Sequence, residues 1–348
     1  MSEARPNPLG VEGFEFVEFA APDASQLHRL FEKMGFTAVA RHLEHDITLY
    51  RQGKINFLVN ETPDSFAVGF AKEHGPCCTG FALRVADRRD AHRAIIDGGG
   101  ESMNDVFGTA LDVPRVKGIG GSLLYLVDGD DQVWKDAYQR IEGADPNPRG
   151  HGLGFIDHLT HNVYQGNMDE WADFYSKHFG FYEVRYFDIR GQQTGLTSRA
   201  MTSPTGEISI PINQSSDPKS QINEYLDQYK GEGVQHIALY TDDIYSTVEA
   251  MHEEGIEFLD TPDTYYELID RRVKNHDEDI ERMRKNGILI DADEETGEKL
   301  LLQIFTQSNI GPIFFEIIQR KGNKGFGEGN FTALFESIEL DQMRRGVL

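Results

Sequence analysis

The chain has 348 residues, 39% hydrophobic and 26% charged, which is typical of a folded chain of about two domains rather than a disordered one. Its 34 Lys and Arg against 58 Asp and Glu give a formal charge of −24, which disfavours nucleic acid and anionic membranes as partners. The adjacent cysteines Cys77 and Cys78 predict neither a disulfide framework nor a zinc knuckle. Because the sequence also shows no signal peptide and no long apolar run, we expect a cytoplasmic protein.

The predicted elements occur twice along the chain. A strand, a polar loop and an amphipathic helix begin at Gly13, and the same order begins again at Gly154. A strand, an Asp-rich turn and a helix then follow from Thr79, and their counterpart follows from Val234. The segment 145–152 between the copies is rich in Pro and Gly, as domain linkers are. We therefore predict two related domains, residues 1–148 and residues 149–348.

Two segments belong to the second copy alone. Residues 262–300 are rich in charged residues, and they predict an exposed helix and turn. The stretch after Lys321 combines a glycine-rich hinge with a helical pattern of apolar residues, which predicts a C-terminal helix over about 325–348. The glycines of this hinge faintly resemble a dinucleotide-binding loop, but a βαβ unit does not follow them.

Three potential metal ligands lie at matching strand positions of the second copy, namely His158, His236 and Glu316. The first copy has other residue types at those positions, namely Glu18, Gly80 and Tyr125. Two histidines and one carboxylate form the facial triad of non-haem Fe(II) oxygenases, which leaves positions open for substrate and O₂. Glu316 also lies within an apolar strand, where an unpaired carboxylate would be costly. The pattern therefore predicts a metal site in the second domain.

A nearby histidine is excluded from this site by its spacing. His161 lies three residues after His158, and residues three apart on a strand point to opposite faces of the sheet. The HxxH spacing also lacks the helical HExxH context of a zinc protease. We therefore expect a structural role for His161.

The second half resembles the 4-hydroxyphenylpyruvate dioxygenase family over its whole length, in strings such as IDHLTHNV, EGVQHIAL, FFEIIQRKG and GFGEGNFTALFESIE. The first half carries the weaker repeat of that family. The resemblance implies an α+β fold of two tandem vicinal-oxygen-chelate (glyoxalase-like) domains, built from paired βαβββ modules, with the C-terminal helix as a lid. It also implies one Fe(II) per chain, held by His158, His236 and Glu316.

The activity implied by the resemblance is the conversion of 4-hydroxyphenylpyruvate and O₂ to homogentisate and CO₂ in tyrosine and phenylalanine catabolism. The substrate would be a small aromatic α-keto acid, and the enzyme a homo-oligomer, either a dimer or a tetramer. The residues implied to line the substrate pocket are Ser198, Asn213, Gln221, Gln235, Gln303, Phe305, Phe314, Phe326 and Phe331.

Three alternatives stay open at this point. Hydroxymandelate synthase would share the fold, the metal and the substrate, but it would hydroxylate the benzylic carbon. A non-catalytic binding protein of the same superfamily would lack the complete metal triad. An extradiol dioxygenase would share the triad without the matching strings.

Overall fold

The computed structural model describes residues 5–129, 132–190, 195–274, 276–293, 296–330 and 333, and its two eight-stranded sheets lie one in each half of the chain. The first sheet contains β1 (Gly13–Ala20), β2 (Thr37–His42), β3 (Ile47–Gln52), β4 (Ile55–Asn60), β5 (Cys77–Arg84), β6 (Arg115–Lys117), β7 (Leu123–Val127) and β8 (Tyr138–Arg140). The second contains β9 (Leu153–Asn162), β10 (Tyr182–Arg190), β11 (Gly195–Thr202), β12 (Ser209–Gln214), β13 (Gly233–Thr241), β14 (Leu289–Ala292), β15 (Leu300–Phe305) and β16 (Phe314–Lys321).

Ten α-helices with both ends inside the described residues accompany these strands, together with a short 3₁₀-helix at Ile119–Gly121. They are α1 (Ser25–Lys33), α2 (Phe66–His74), α3 (Arg88–Asp97), α4 (Gln132–Ala137), α5 (Met168–Phe179), α6 (Gln221–Tyr229), α7 (Ile244–Glu253), α8 (Asp263–Glu267), α9 (Ile269–Arg272) and α10 (Ile280–Asn286). Local sequence explains several of their ends. The Ser220 side chain accepts a hydrogen bond from a first-turn amide of α6, and Gly180 ends α5 in the left-handed conformation that glycine favours.

The two sheets share one strand order. It runs β2-β3-β4-β1-β5-β7-β6 in the first half and β10-β11-β12-β9-β13-β16-β15 in the second, with β8 and β14 added at edges. The central strands β1, β5 and β7 of the first sheet thus correspond to β9, β13 and β16 of the second. These are the strands that carry the residues aligned from the sequence repeat, so the duplicated architecture agrees with the prediction.

One hydrophobic core extends through both halves. Phe57 of β4 packs against Phe315 of β16, with ring centroids 5.9 Å apart. The helices bury apolar faces against the sheets, as Phe31 of α1 and Phe179 of α5 show by having no exposed surface. The adjacent cysteines are buried and free, in agreement with the absence of a disulfide framework. No helix within the described residues is both long enough and apolar enough to cross a membrane.

For residues 262–300 the predicted helix is confirmed, but the prediction that the segment is exposed is wrong for its inner face. This segment forms α8, α9, α10 and β14, and its side chains Tyr265, Ile269 and Met283 are buried, so it is an integral layer of the second half. The predicted C-terminal helix is described in part. Residues 328–330 and 333 are helical, whereas 331–332 and 334–348 lie outside the described residues.

Candidate metal centre and substrate cavity

The three predicted ligands meet at the centre of the second sheet. His158 lies on β9, His236 on β13 and Glu316 on β16, three strands that are hydrogen-bonded in that order. The Oε2 atom of Glu316 lies 3.2 Å from His158 Nε2 and 3.5 Å from His236 Nε2, and the two Nε2 atoms are 3.3 Å apart. One ligand atom from each residue therefore lies within 4.8 Å of the other two. These three residues are called the ligand cluster below.

The outer nitrogens of both imidazoles are held by neighbouring side chains. His158 Nδ1 lies 2.8 Å from Asp157 Oδ1, and His236 Nδ1 lies 2.8 Å from Gln235 Oε1. These oxygens can only accept, so each Nδ1–H donates to its neighbour and each Nε2 faces the cluster. Such hydrogen bonds are the usual way in which proteins orient histidines that bind a metal.

The donor set of the cluster fits a divalent cation. Two imidazole Nε2 atoms and a carboxylate oxygen converge there, and Glu316 Oε1 is buried without a hydrogen-bond partner among the described residues. Burial raises the pKa of Glu316, but the imidazoles of His158 and His236 outweigh burial and lower this pKa to about 2. Burial lowers the pKa of His158, but the carboxylates of Glu316 and Asp157 outweigh it and raise that pKa to about 9. Glu316 is thus held as the anion that binds a cation.

The cluster forms one wall of a cavity of about 520 Å³, counting the space that opens to solvent. The remaining wall is mostly apolar or neutral, and it consists of Thr160, Phe187, Leu196, Ser198, Pro211, Asn213, Phe305, Phe326 and Glu328. Among the described residues that line the cavity there is no lysine or arginine. The arrangement can therefore hold an aromatic ring beside a metal, and it offers no fixed side-chain cation to an anionic ligand.

The corresponding place in the first sheet is filled differently. Glu18 is fully buried, and its carboxylate accepts hydrogen bonds from Asn60 Nδ2 and from the Tyr125 hydroxyl, both at 2.7 Å. Among the described residues of this half, histidine, cysteine and carboxylate side chains do not converge as they do in the second half. A hydrogen-bonded carboxylate and phenol thus replace the ligand cluster.

Comparison with known proteins places these features in a family. A model described as "Hydroxyphenylpyruvate dioxygenase, HPPD, N-terminal" matches residues 6–138, and one for the Glyoxalase/Bleomycin resistance protein/Dioxygenase superfamily matches residues 155–269. The 4-hydroxyphenylpyruvate dioxygenase of Pseudomonas aeruginosa is 52% identical, over 98% of this chain and 97% of its own. This chain belongs to the 4-hydroxyphenylpyruvate dioxygenase family. Membership confirms the predicted α+β fold of two glyoxalase-like domains and the prediction of a metal-dependent dioxygenase.

Two further similarities bear on the alternatives. A Vibrio vulnificus protein named hemolysin VllY is 55% identical, over 98% of both chains. A solved structure of a mutant 4-hydroxymandelate synthase from Streptomyces coelicolor superposes with a TM-score of 0.81 at 25% identity, covering 97% of this chain and 100% of that one. The fold is thus shared with hydroxymandelate synthase, while the sequence is much closer to the dioxygenase family.

The residues expected from the family resemblance fall into three groups. Those that line the cavity are Ser198, Asn213, Phe305 and Phe326. Three others do not line the cavity: Gln235 holds His236, the Phe314 ring stacks on His236 with centroids 5.0 Å apart, and Gln303 accepts a hydrogen bond from Asn330. The remaining two are Gln221, exposed at the beginning of α6, and Phe331, which lies outside the described residues.

Sequence reasoning missed two charged residues beside the cluster. Asp157 contacts His158, and Arg320 forms a two-pronged ion pair with Asp157 across 163 positions of sequence. The available signal was their position, since Asp157 is next to a predicted ligand and Arg320 is four residues after one.

Proposed function

We propose that this chain is an Fe(II)-dependent 4-hydroxyphenylpyruvate dioxygenase, which converts 4-hydroxyphenylpyruvate and O₂ to homogentisate and CO₂. The observation that carries the proposal is the ligand cluster, which opens onto an aromatic-lined cavity in a chain of this family. In the balanced reaction, one atom of O₂ enters the new carboxylate and the other enters the ring. No 2-oxoglutarate is needed, because the substrate is itself an α-keto acid.

His158, His236 and Glu316 would hold the iron, because one nitrogen or oxygen atom of each already lies within 4.8 Å of the other two. Bound Fe(II) would supply open positions for the α-keto acid and for O₂, and the oxidative decarboxylation of the α-keto acid would supply the electrons for O₂ activation. The side chains around it can be assigned roles from their chemistry. Phe305 and Phe326 would pack against the substrate ring, and Ser198 and Asn213 would hydrogen-bond its polar atoms.

Charge favours a metal anchor for the substrate. The described lining residues include the carboxylates of Glu316 and Glu328 but no lysine or arginine, and the whole chain carries −24. An anionic α-keto acid would be repelled from such a cavity unless a cation were bound there. The family resemblance and the composition also support a homo-oligomeric enzyme, a dimer or tetramer, in the cytoplasm; light scattering after gel filtration and cell fractionation would test these two proposals.

Product identity is the experiment that tests the proposed function. The protein would be reconstituted with Fe(II) and ascorbate, supplied with 4-hydroxyphenylpyruvate in air, and its products separated by chromatography. We expect homogentisate, with O₂ consumed and CO₂ released in equal amounts, and no homogentisate from a Glu316→Ala control. The isomer 4-hydroxymandelate as main product would instead assign hydroxymandelate synthase activity, and binding without turnover would indicate a non-catalytic protein.

A further inference from the structure

The guanidinium of Arg320, on β16, connects two parts of the second half. Its Nε and Nη2 donate hydrogen bonds to Asp157 Oδ2 and Oδ1, each at 2.7 Å. Its Nη1 donates to the carbonyl oxygens of Asn323 at 3.1 Å and Gly325 at 2.7 Å. Residues 323–330, here called the terminal turn, are thereby tied to β9.

On the β9 side, this contact reaches a metal ligand. The same Oδ1 of Asp157 that accepts from Arg320 also accepts from His158 Nδ1. The Asp157 and Arg320 side chains are 9% and 18% exposed, so removing one partner would leave the other charge poorly solvated. The two-pronged pairing also fixes the plane of the carboxylate, which the point charge of a lysine would not do. The orientation of His158 therefore depends on Arg320.

The terminal turn also contacts His158 and Arg320 through the side chain of Phe326. The Phe326 ring lies edge-on to the His158 imidazole, with centroids 5.5 Å apart, and Arg320 Cζ lies 5.9 Å from that ring. If the turn moved away, Arg320 would lose two carbonyl acceptors and would have to reorient to replace them. Asp157 would then lose its fixed plane as well.

We propose that Arg320 is a positioning residue that transmits the placement of the terminal turn to His158, so that the ligand cluster reaches full metal affinity when the turn is seated. The inference rests on the proposed function in one respect, namely that His158 is a metal ligand. Phe326 and Glu328 of the terminal turn also line the cavity. The placement of the turn would therefore affect both the shape of the cavity and the orientation of the metal ligand His158.

The test uses Co²⁺ alone as the probe, without substrate. Arg320→Gln and Asp157→Asn would be compared with the wild-type chain. The control is Arg282→Gln, since Arg282 forms a similar two-pronged pair with Glu249, at 2.9 and 2.8 Å, away from the cluster. The readouts are Co²⁺ affinity, the visible absorption spectrum of bound Co²⁺, and amide hydrogen exchange over residues 323–330.

Both test variants should bind Co²⁺ about 10–100-fold more weakly with altered spectra, as outer-shell changes usually do, and the control should match wild type. Asp157→Asn should also speed exchange in the terminal turn, although Asp157 has no direct contact with it among the hydrogen bonds of the described residues. An amide at position 157 cannot accept from both Arg320 Nε and His158 Nδ1, because one of its two atoms is a donor.

Wild-type Co²⁺ affinity and spectrum in the folded variants would overturn the positioning role, and unchanged exchange in Asp157→Asn would overturn the coupling. If Arg320→Gln does not fold, Asp157→Asn decides by the same criteria. If the two variants show these effects but the wild-type chain forms no homogentisate, the proposed function is contradicted and the positioning role still holds. Failure of the wild-type chain to bind Co²⁺ would contradict both.

Discussion

His158 and His161 lie on the same strand and have opposite surroundings. His158 faces the ligand cluster, whereas His161 is fully buried on the other side of β9, with its Nε2 atom 2.7 Å from the Tyr175 hydroxyl. Burial lowers the pKa of His161 to about 3, so this imidazole is neutral at ordinary pH. The alternation of a strand thus separates a candidate ligand from a core residue three positions away.

This difference predicts different consequences for two alanine substitutions. His158→Ala should abolish turnover and leave little bound metal after dialysis. His161→Ala should retain metal but should lose about 1–3 kcal/mol of stability or more, because the Tyr175 hydroxyl loses its buried partner. Metal analysis and urea unfolding of both variants check this. Equal loss of metal from the two would contradict the assignment of strand faces.

Glu18 in the first half gives a prediction about pH. Burial raises its pKa above 4.5, and the hydrogen bonds from Asn60 and Tyr125 only partly oppose that change. Above pH 4.5 the unfolded chain releases this proton more readily than the folded chain does, so Glu18 makes the folded state less stable as pH rises. A neutral, isosteric Gln would not have this effect.

We therefore expect Glu18→Gln to increase the free energy of unfolding relative to wild type by more at pH 8 than at pH 5, with turnover unchanged. Urea unfolding at the two pH values measures this, with Glu73→Gln, an exposed carboxylate on α2, as the control. A stability difference that is constant with pH, or that shrinks as pH rises, would show that Glu18 is ionised at least as readily in the folded chain as in the unfolded chain.

The ligand residues could be predicted from sequence because the chain contains an internal reference. The first copy shows what ordinary residues occupy those strand positions, so His158, His236 and Glu316 stand out against it. The partners Asp157 and Arg320 could not be identified in this way, because a salt bridge between residues 163 positions apart depends on strand order in the sheet. The exposed position of Gln221 likewise depends on how the beginning of α6 is oriented.

At the scale of elements, the segment that was expected to be exposed supports the terminal turn. The Tyr265 hydroxyl on α8 donates to Asn330 Oδ1 at 2.6 Å, and the Gly329 amide donates to Asp291 Oδ2 at 3.0 Å. Asn330 Nδ2 in turn donates to Gln303 at 3.2 Å. This role could not be predicted from the sequence of residues 262–300, because charged residues dominate it and the buried face of each short helix consists of few residues. The residues that contact this face are also distant in sequence.

These contacts predict that two C-terminal deletions will differ. Deleting 331–348 keeps the whole terminal turn, so the fold and Co²⁺ affinity should stay near wild type. Deleting 325–348 removes an acceptor of Arg320 and the partners of Tyr265 and Asp291, so Co²⁺ affinity should fall about tenfold or more. Circular dichroism and Co²⁺ titration compare the two, and equal affinities would show that the terminal turn does not support the metal site.

Activity of the shorter deletion tests the predicted lid. Without residues 331–348, turnover should collapse, and O₂ consumption should exceed homogentisate formation, because water and solvent reach the reacting centre. Oxygen-electrode measurements paired with product quantification give this ratio. A truncated chain that stays fully active, with O₂ and homogentisate in equal amounts, would show that residues 331–348 do not act as a lid.

At the scale of the whole molecule, charge and cavity composition together predict metal-dependent substrate binding. The chain carries −24, and no lysine or arginine lies among the described lining residues. Calorimetry should therefore detect binding of 4-hydroxyphenylpyruvate to the anaerobic Co²⁺-loaded protein and far weaker binding to the metal-free protein. The neutral analogue 4-hydroxyphenylacetone lacks the carboxylate, so its affinities for the Co²⁺-loaded and the metal-free protein should differ much less. Equal affinities of 4-hydroxyphenylpyruvate for both forms would indicate an anchoring cation elsewhere.

The duplicated fold contains two equivalent positions for a metal site, and the second half has the side chains that could bind a metal there. In the first half, the buried carboxylate of Glu18 is hydrogen-bonded to Asn60 and Tyr125; in the second, Glu316 lies beside two imidazoles. One sheet therefore has a polar network that is satisfied internally, while in the other two imidazole Nε2 atoms and a carboxylate oxygen converge on one place. A chain built in this way should need one metal ion for activity.

Titration of the metal-free protein with Fe(II) tests this most directly. Homogentisate formation with saturating 4-hydroxyphenylpyruvate and O₂ should rise in proportion to added iron and stop rising at about one iron per chain. The Glu18→Gln variant should give the same endpoint, and the His236→Ala variant should give no product. Homogentisate formation that is independent of iron, or that requires two irons per chain, would contradict the assignment of catalysis to a single centre at His158, His236 and Glu316.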